Sequence, residues 1–189
     1  DNKCKYLQTP VSINNIKKEV LSNQLMIEKK LGPQPMIFSY PFGESSFEIE
    51  EELKKLGYKI AFSQHSSPIS KDQNKFRLPR YSLNEEYGSI ERFKMILNIK
   101  PLKVSNVSYK DTIVNSETFN FSFNTKFPPK TVNCFINNSA FLEKENKENN
   151  KVLIKVGNLK QKIRYRINCT HIDQNGQIYW FGKMIKRQN

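Results

Sequence analysis

The stretch Phe38-Ser39-Tyr40-Pro41-Phe42-Gly43-Glu44 decides how the first half of this 189-residue chain folds. A short apolar run, Met36-Ile37-Phe38, leads into it, and Ser45 with Glu48 three residues later forms the pattern of a helix-capping box. The sequence therefore predicts a strand, a tight turn and a helix in direct succession. Corners of this kind often carry chemistry, because a rigid strand aims backbone N–H groups at one point above the sheet.

Helix and strand patterns alternate on both sides of this corner, over residues 10–100. Helical spacing of apolar residues begins after Ser12 and ends at Gly32-Pro33, and Ser89 can cap a later helix. Extended segments are predicted at residues 36–40, 58–64 and 76–81. Strands and helices in such short cycles predict an α/β unit with a parallel sheet or barrel.

The pattern changes at Lys100-Pro101, where alternation with a period of two replaces helical spacing. The segment 143–150 is nearly all charged or Asn and is predicted to be a solvated loop. This predicts an antiparallel, immunoglobulin-like β-sandwich at residues 101–189, behind an α/β domain at residues 1–100. The alternating runs lie at residues 119–123, 132–136, 152–156 and 163–169.

The chain has three cysteines, Cys4, Cys134 and Cys169. Cys134 and Cys169 fall on the inward phase of their predicted strands, so they could meet across the core as a disulfide; two buried reduced thiols are the alternative. A disulfide would indicate an oxidising compartment, and we expect a periplasmic or secreted protein of the cell envelope. No apolar run is long enough for a membrane-spanning helix.

The formal net charge is +13, and residues 101–189 carry +9 of it. A basic surface attracts polyanions such as nucleic acid, anionic lipid or acidic polysaccharide. An organism rich in Lys and Asn would produce the same bias without any function. No recognised nucleic-acid-binding motif accompanies the charge, so nucleic acid is not a predicted partner.

Several strings, in the right order, resemble NodB-type polysaccharide deacetylases (carbohydrate esterase family 4), in the branch with a Tyr-Pro-Phe/Tyr-Gly-Glu motif. Residues 36–44 resemble the third motif of the family, and residues 58–66 resemble the strand that follows it. Leu78-Pro79-Arg80 resembles the arginine motif after that strand. The second half resembles the β-domain that often trails such enzymes, at residues 133–135, 165–170 and 179–181.

The resemblance implies a distorted (β/α) barrel that hydrolyses N-acetyl groups of a polysaccharide. In the family, zinc or another divalent metal is held by one Asp and two His, and a second Asp is the general base. The resemblance also implies that a backbone N–H of the turn stabilises the oxyanion. Pro41 has no N–H, so Tyr40 or Phe42 would donate it. The implied substrate contacts are with Tyr40, Pro41, Gly43 and Gln64.

Two further side chains, Arg80 and His65, are candidates for this site. Many family members have an Arg two residues before the Pro of the motif, where it tethers the catalytic Asp. Ser39 stands there in this chain, and Arg80 is the natural substitute because its planar fork can hold a carboxylate. An ordinary salt bridge is the alternative for Arg80. His65 lies just past a predicted strand end and could protonate the leaving amine; a plain surface position is the alternative.

The metal ligands of the family have no counterpart in this sequence. No Asp-Asp pair occurs, and the only histidines are His65 and His171. No residue is therefore predicted to bind a metal, and the chain alone would hold no cofactor. Cys4 has no neighbouring His or acid and is not a site. The chain is then either the C-terminal part of a longer deacetylase or a relative without activity, and we expect no catalysis from it alone.

An incomplete barrel exposes the edge of a parallel sheet, so we expect a partner there: the missing N-terminal half-barrel, or a second copy of the chain. The expected substrate is an N-acetylated polysaccharide. The alternative function is a non-catalytic carbohydrate-binding or cell-envelope module. In that case Tyr179, Trp180 and Phe181 would stack on sugar faces, whereas packing in the sandwich core is the other explanation for Trp180.

Overall fold

The computed structural model describes residues 13–34, 36–109, 111–138, 140–146 and 150–188. The predictions for Cys4 and Ser12 lie outside these residues. No helix within the described ranges is long and apolar enough to cross a membrane. The elements in chain order are α1 (Ile13–Leu31), β1 (Ile37–Ser39), a 3₁₀ turn (Pro41–Gly43), α2 (Phe47–Lys55), β2 (Ile60–Phe62), α3 (Ile90–Asn98), β3 (Lys100–Pro101), β4 (Ile113–Val114), β5 (Phe119–Asn124), a second 3₁₀ turn (Pro129–Thr131), β6 (Asn133–Ile136), β7 (Phe141–Asn146), β8 (Lys151–Gly157), β9 (Arg164–Ile172) and β10 (Ile178–Arg187).

The first half is built on a short parallel sheet. β1 pairs with β2, which places Phe38 opposite Ala61, and Leu78 forms a parallel bridge to Phe62 on the other side of β2. The predicted parallel pairing is therefore present, with β2 in the centre, while barrel closure stays a prediction. Helices α1 and α2 contribute to the core of this half, whose buried residues are Val20, Tyr40, Leu53, Tyr58, Ala61 and Phe76.

Helix α2 begins one residue later than the sequence suggested. Ser46, not Ser45, is the N-cap, and its Oγ accepts a hydrogen bond from the N–H of Ile49 at 3.3 Å. Ser45 is buried, and its carbonyl accepts a hydrogen bond from the Thr112 hydroxyl. The prediction was wrong by one residue because the preceding 3₁₀ turn uses Gly43 and Glu44 to close its own hydrogen bonds before the helix starts.

The second half consists of two sheets that share one core. One sheet has the order β3-β10-β9-β6, with β4 also paired to β10, and the other has the order β5-β8-β7. Two sheets around a common core agree with the predicted β-rich C-terminal region, and an immunoglobulin-like topology stays a prediction. The core residues are Leu102, Val114, Phe121, Phe123, Val132, Val152, Ile154, Val156, Leu159, Tyr165, Ile167, Cys169 and Ile185.

Two details of this half differ from the sequence prediction. The larger sheet is mixed, because the short strands β3 and β4 run parallel to β10. The charged segment predicted as a loop is partly a strand, since β7 includes Glu143 and continues to Asn146. Glu143 faces Lys155 of β8 in the register of the sheet, with 3.8 Å between carboxylate and ammonium. Cross-strand pairing of opposite charges thus makes a polar segment compatible with an edge strand.

Cys134 and Cys169 form a disulfide, as the sequence predicted. The bridge does not cross the core, however. The two cysteines are register partners on the neighbouring antiparallel strands β6 and β9, with 4.1 Å between their Cα atoms. The sequence placed both side chains on the inward phase correctly but could not show which strands are neighbours.

The two halves pack against each other through β9 and β10. The backbone of Gly182 in β10 lies so close to the segment after β2 that a Cβ there would be 2.2 Å from the carbonyl oxygen of Ser66. Such a close backbone approach requires glycine. Trp180 lies next to Tyr81 in an edge-to-face contact, with 5.7 Å between ring centroids. The predicted domain boundary falls at Lys100–Pro101, which forms β3 and pairs with β10.

Candidate functional site

The turn after β1 is held in an unusual backbone conformation. Phe42 has φ 56° and ψ 10°, and Gly43 has φ 73°. A bulky residue with positive φ is rare and costs about 1–3 kcal/mol, so the surroundings must impose it. The turn is closed by hydrogen bonds from the N–H of Gly43 to the Tyr40 carbonyl (2.9 Å) and from the N–H of Glu44 to the Pro41 carbonyl (3.2 Å).

The segment after β2 holds this turn in place. The hydroxyl of Ser63 donates to the Gly43 carbonyl at 2.8 Å. A Cβ on Gly43 would lie 2.3 Å from the backbone nitrogen of Gln64, so the two backbones are in direct contact. The predicted substrate contacts Tyr40, Pro41, Gly43 and Gln64 are therefore brought together in one place, and Gly43 is required there by space as well as by φ.

The two predicted oxyanion donors differ in whether their N–H is already used. The N–H of Tyr40 donates to the carbonyl of Phe62 at 3.0 Å, as part of the β1–β2 pairing. The N–H of Phe42 takes part in none of the hydrogen bonds found among the described residues. The side chain of Phe42 is 40% exposed, so the turn is open to solvent at this residue.

Tyr40 contributes a buried hydroxyl beside the turn. Its side chain is only 2% exposed, and its hydroxyl has no hydrogen-bond partner among the described residues. Burial raises the pKa of Tyr40, and the nearby carboxylate of Glu50 raises it further. The hydroxyl therefore stays protonated and can only act as a neutral hydrogen-bonding group.

Arg80 lies beside the same segment but holds no carboxylate there. Its Nε donates to the Ser63 carbonyl at 2.6 Å, and its backbone N–H donates to the His65 carbonyl at 3.0 Å. No acidic side chain lies within ion-pair distance of Arg80 in the described part of the chain. Its role as a tether for a catalytic Asp stays a prediction.

A different arginine makes the buried ion pair of this half. Arg77 pairs with Glu50, which is 2% exposed and also accepts a hydrogen bond from the side-chain amide of Asn74 at 2.9 Å. Asp111 lies 3.6 Å from the Arg77 guanidinium. Sequence reasoning missed this cluster, because nothing local marks Glu50 as the one inward-facing acid of α2.

His65 sits at the contact between the two halves. Its Nδ1 is buried without a hydrogen-bond partner among the described residues, and its ring approaches the backbone of Gly182. Burial lowers the pKa of His65 to about 3, and the positive charges of Lys183, Arg166 and Arg77 lower it in the same direction. The imidazole is therefore neutral at physiological pH in this arrangement, and its role as a general acid stays a prediction.

Residues of the second half reach the turn itself. Nη1 of Arg164 donates to the carbonyl of Phe42 at 3.2 Å, and its guanidinium lies over the Phe42 ring. Nε of Arg166 donates to the carbonyl of Gln64 at 2.9 Å. Glu44, at the end of the turn, pairs with Lys186 at 2.6 Å and with Arg164 at 3.6 Å. Sequence reasoning missed these contacts, because no local pattern marks them.

The metal that the resemblance implies does not fit the described residues. No group of three His, Cys, Asp or Glu side chains in that part of the chain is close enough together to hold one metal ion. His171 packs instead in the second half, with its ring 4.0 Å from the ring of Phe127 and its Nδ1 3.3 Å from the Thr131 carbonyl. We therefore derive no chemical step through a metal.

The aromatic residues considered for sugar stacking are mostly engaged within the protein. Trp180 contacts Tyr81, and its Nε1 donates to the side chain of Asn168 at 3.1 Å. Phe181 packs on the core of the second half, and Tyr179 packs against Phe127. These contacts agree with the packing explanation for Trp180.

Comparison with known proteins supports the resemblance at the level of the family. Residues 5–61 match the family model described as polysaccharide deacetylase. The match includes the turn at Tyr40 to Gly43 and ends within β2. It supports a deacetylase-like function at family level, and it does not reach Arg80 or the second half. No curated protein and no solved structure matches the chain.

Proposed function

We propose that this chain carries the oxyanion-binding turn of a metal-dependent polysaccharide N-deacetylase, which hydrolyses the acetamide bond of N-acetylated sugars. Zinc or another divalent metal would be held by Asp and His ligands from outside this sequence, whose only histidines are His65 and His171. The substrate is proposed to lie over Tyr40, Pro41, Gly43 and Gln64. The disulfide between Cys134 and Cys169 is consistent with action in the periplasm, at the cell envelope or outside the cell.

The observation that carries this proposal is the strained residue Phe42 with its unused N–H. Strain of this kind persists where the surrounding structure imposes it, and it concentrates at functional sites. An N–H that is held in place and not yet hydrogen-bonded can donate to the oxygen that becomes negatively charged during acyl transfer. The N–H of Tyr40 is already bonded to Phe62, so the proposal assigns the oxyanion to Phe42.

The partner is proposed at the open edge of the first sheet. The described residues place no strand beside the outer edge of β1. Apolar side chains of β1 and of helix α1 are exposed, among them Ile37 (50%) and Leu25 (66%). We propose that the remaining half of a deacetylase barrel, or a second copy of this chain, covers this edge. The mass of the native protein in its source organism would distinguish these cases from a free chain of 22.2 kDa.

The test of the oxyanion assignment uses the amide resonances of the turn. A phosphonate analogue of the tetrahedral intermediate of N-acetylglucosamine hydrolysis is titrated into ¹⁵N-labelled protein. We expect the Phe42 amide to move downfield, because its N–H gains a charged acceptor. The Tyr40 amide, already bonded to Phe62, is the internal control. A bound analogue that leaves the Phe42 amide unmoved would contradict the assignment.

A further inference from the structure

Arg164 and Arg166 lie beside the Phe42 turn, where they donate to the carbonyls of Phe42 and Gln64. Arg92 lies over the ring of Tyr87, whose hydroxyl interacts with the charges of both Arg92 and Arg166. We name Arg92, Arg164 and Arg166 the arginine rim. Arg164 and Arg166 are two residues apart on β9, so they share one face of the strand. Arg92 lies in the first turn of α3. Burial lowers the pKa of Arg166, and the positive charge of Arg164 on the same face lowers it further.

Two exposed aromatic rings complete this surface. The guanidinium of Arg164 lies 4.8 Å from the ring centroid of Phe42, and that of Arg92 lies 5.3 Å from the ring centroid of Tyr87. Phe42 is 40% and Tyr87 42% exposed. Arginines on the faces of exposed rings form a surface that offers both apolar contact and fixed positive charge.

The arginine rim has few acids to balance it. Arg164 lies 3.6 Å from Glu44, but that carboxylate is also bound by Lys186 at 2.6 Å. No acidic side chain in the described ranges lies within ion-pair distance of Arg92 or Arg166. Glu86, in the loop before α3, hydrogen-bonds the hydroxyl of Tyr87.

Donor groups of the rim also stay unused. Arg166 uses its Nε for the carbonyl of Gln64, while the two terminal nitrogens of its fork make no hydrogen bond among the described residues. Nη1 of Arg92 is buried and has no hydrogen-bond partner in the same part of the chain. The terminal nitrogens of Arg166 are thus available to a ligand. Nη1 of Arg92 is a charged donor removed from water without a partner, which is costly, so an anion that reaches it would be bound favourably.

We propose that the polysaccharide at the Phe42 turn is anionic, and that the arginine rim binds carboxylate groups on sugars that flank the N-acetylated one. The planar guanidinium fork matches a carboxylate with two parallel hydrogen bonds. A nucleic acid would also find positive charge and aromatic rings on this surface. We assign a glycan because Arg164 contacts Phe42, so the rim adjoins the turn at which we place the sugar. The inference rests on the proposed function, because it takes that turn as the sugar-binding place.

The test compares two N-acetylated oligosaccharides that differ in charge. Hyaluronan octasaccharide alternates N-acetylglucosamine with a carboxylated sugar, whereas chitooctaose carries N-acetyl groups only. We expect hyaluronan to bind at least about tenfold more tightly in low salt, as measured by calorimetry, and to lose this advantage as salt is added. Equal affinities, or no binding of either sugar, would overturn the proposal.

Variants locate the effect at the rim. Arg166→Gln and Arg92→Gln should each weaken hyaluronan binding by about tenfold and leave chitooctaose binding unchanged. Lys151→Gln, an exposed charge on β8 of the other sheet, is the matched control and should change neither. If Arg166→Gln disturbs the contact to Gln64 and fails to fold, Arg92→Gln still decides, because no hydrogen bond of the Arg92 side chain to a described residue is lost. Hyaluronan affinity that is unchanged in Arg92→Gln would overturn the proposal.

Two further measurements separate this inference from its alternatives. Single-stranded DNA of equal charge should compete with hyaluronan poorly; competition as strong as that of hyaluronan itself would overturn the glycan assignment in favour of a general polyanion surface. The response of the Phe42 amide to the neutral-sugar phosphonate is recorded on the same sample. If that amide responds while hyaluronan is not preferred, the arginine inference fails and the proposed function stands.

Discussion

The guanidinium of Arg164 lies over the ring of Phe42, 4.8 Å from its centroid, and Nη1 of the same arginine donates to the Phe42 carbonyl at 3.2 Å. One side chain thus contacts both the ring and the backbone of the only described residue that combines an aromatic side chain with positive φ. The second half of the chain therefore braces the turn at which we place the oxyanion. It is more than an appended module.

Loss of this brace should loosen the turn. Arg164→Gln removes the cation–π contact and the charge facing Glu44, and we expect the free energy of unfolding to fall by about 1 kcal/mol. Amide hydrogen exchange at Gly43 and Glu44 should accelerate, because their hydrogen bonds close the turn. Lys160→Gln, which removes an exposed charge near the start of the β8–β9 connection, is the control and should alter neither quantity. Unchanged exchange in Arg164→Gln would show that the turn is held by Ser63 and Gln64 alone.

Gly43 should tolerate no side chain. A Cβ at this position would lie 2.3 Å from the backbone nitrogen of Gln64, and the φ of 73° is itself unfavourable for alanine. We expect Gly43→Ala to lower the free energy of unfolding by about 3 kcal/mol or more, of which positive φ accounts for about 1–2 kcal/mol. Gly176→Ala isolates the φ contribution, because its φ is 75° and nothing lies within 4 Å of the added Cβ. Chemical denaturation of both variants measures the difference, and equal losses would mean that the Gln64 contact relaxes freely.

The sequence predicted the corner well because its determinants are local. Pro41 and Gly43 fix the turn, the short apolar run before it favours a strand, and the serine and glutamate pattern after it marks a helix start. The braces from the second half could not be predicted, since Arg164 lies 122 residues from Phe42. An outward-facing arginine on a strand looks the same in sequence whether it meets solvent or another domain. The disulfide was predictable in part. The alternating pattern showed that the Cys134 side chain faces inward, but it did not show that β6 pairs with β9.

Reduction of the disulfide should destabilise the second half. Cys134 and Cys169 are separated by 35 residues, and closing a loop of that length stabilises by roughly 3–4 kcal/mol on the chain-entropy estimate. We expect Cys134→Ser/Cys169→Ser to lower the free energy of unfolding by about this amount, and reducing agent to have the same effect on the wild-type chain. Reducing agent should have no further effect on the double variant, which is the control. A wild-type chain that is unaffected by reduction would show that the native strands alone hold β6 in place.

Acid should destabilise the fold through His65. Its pKa is about 3 in the folded chain and ordinarily 6.5, so between these values the unfolded chain binds more protons, and the free energy of unfolding falls as the pH is lowered from 6.5 towards 3. His65→Gln should flatten this part of the profile, as measured by urea denaturation at several pH values.

Lys183→Met provides an independent check of the His65 pKa by NMR titration. Burial is the largest cause of the low pKa of His65, and the charge of Lys183 is the next. Removing that charge should therefore raise the pKa of His65, while burial keeps it below 6.5. A wild-type His65 that titrates near 6.5 would mean that water reaches the imidazole, and that the two halves pack less closely than the contact of Gly182 with Ser66 requires.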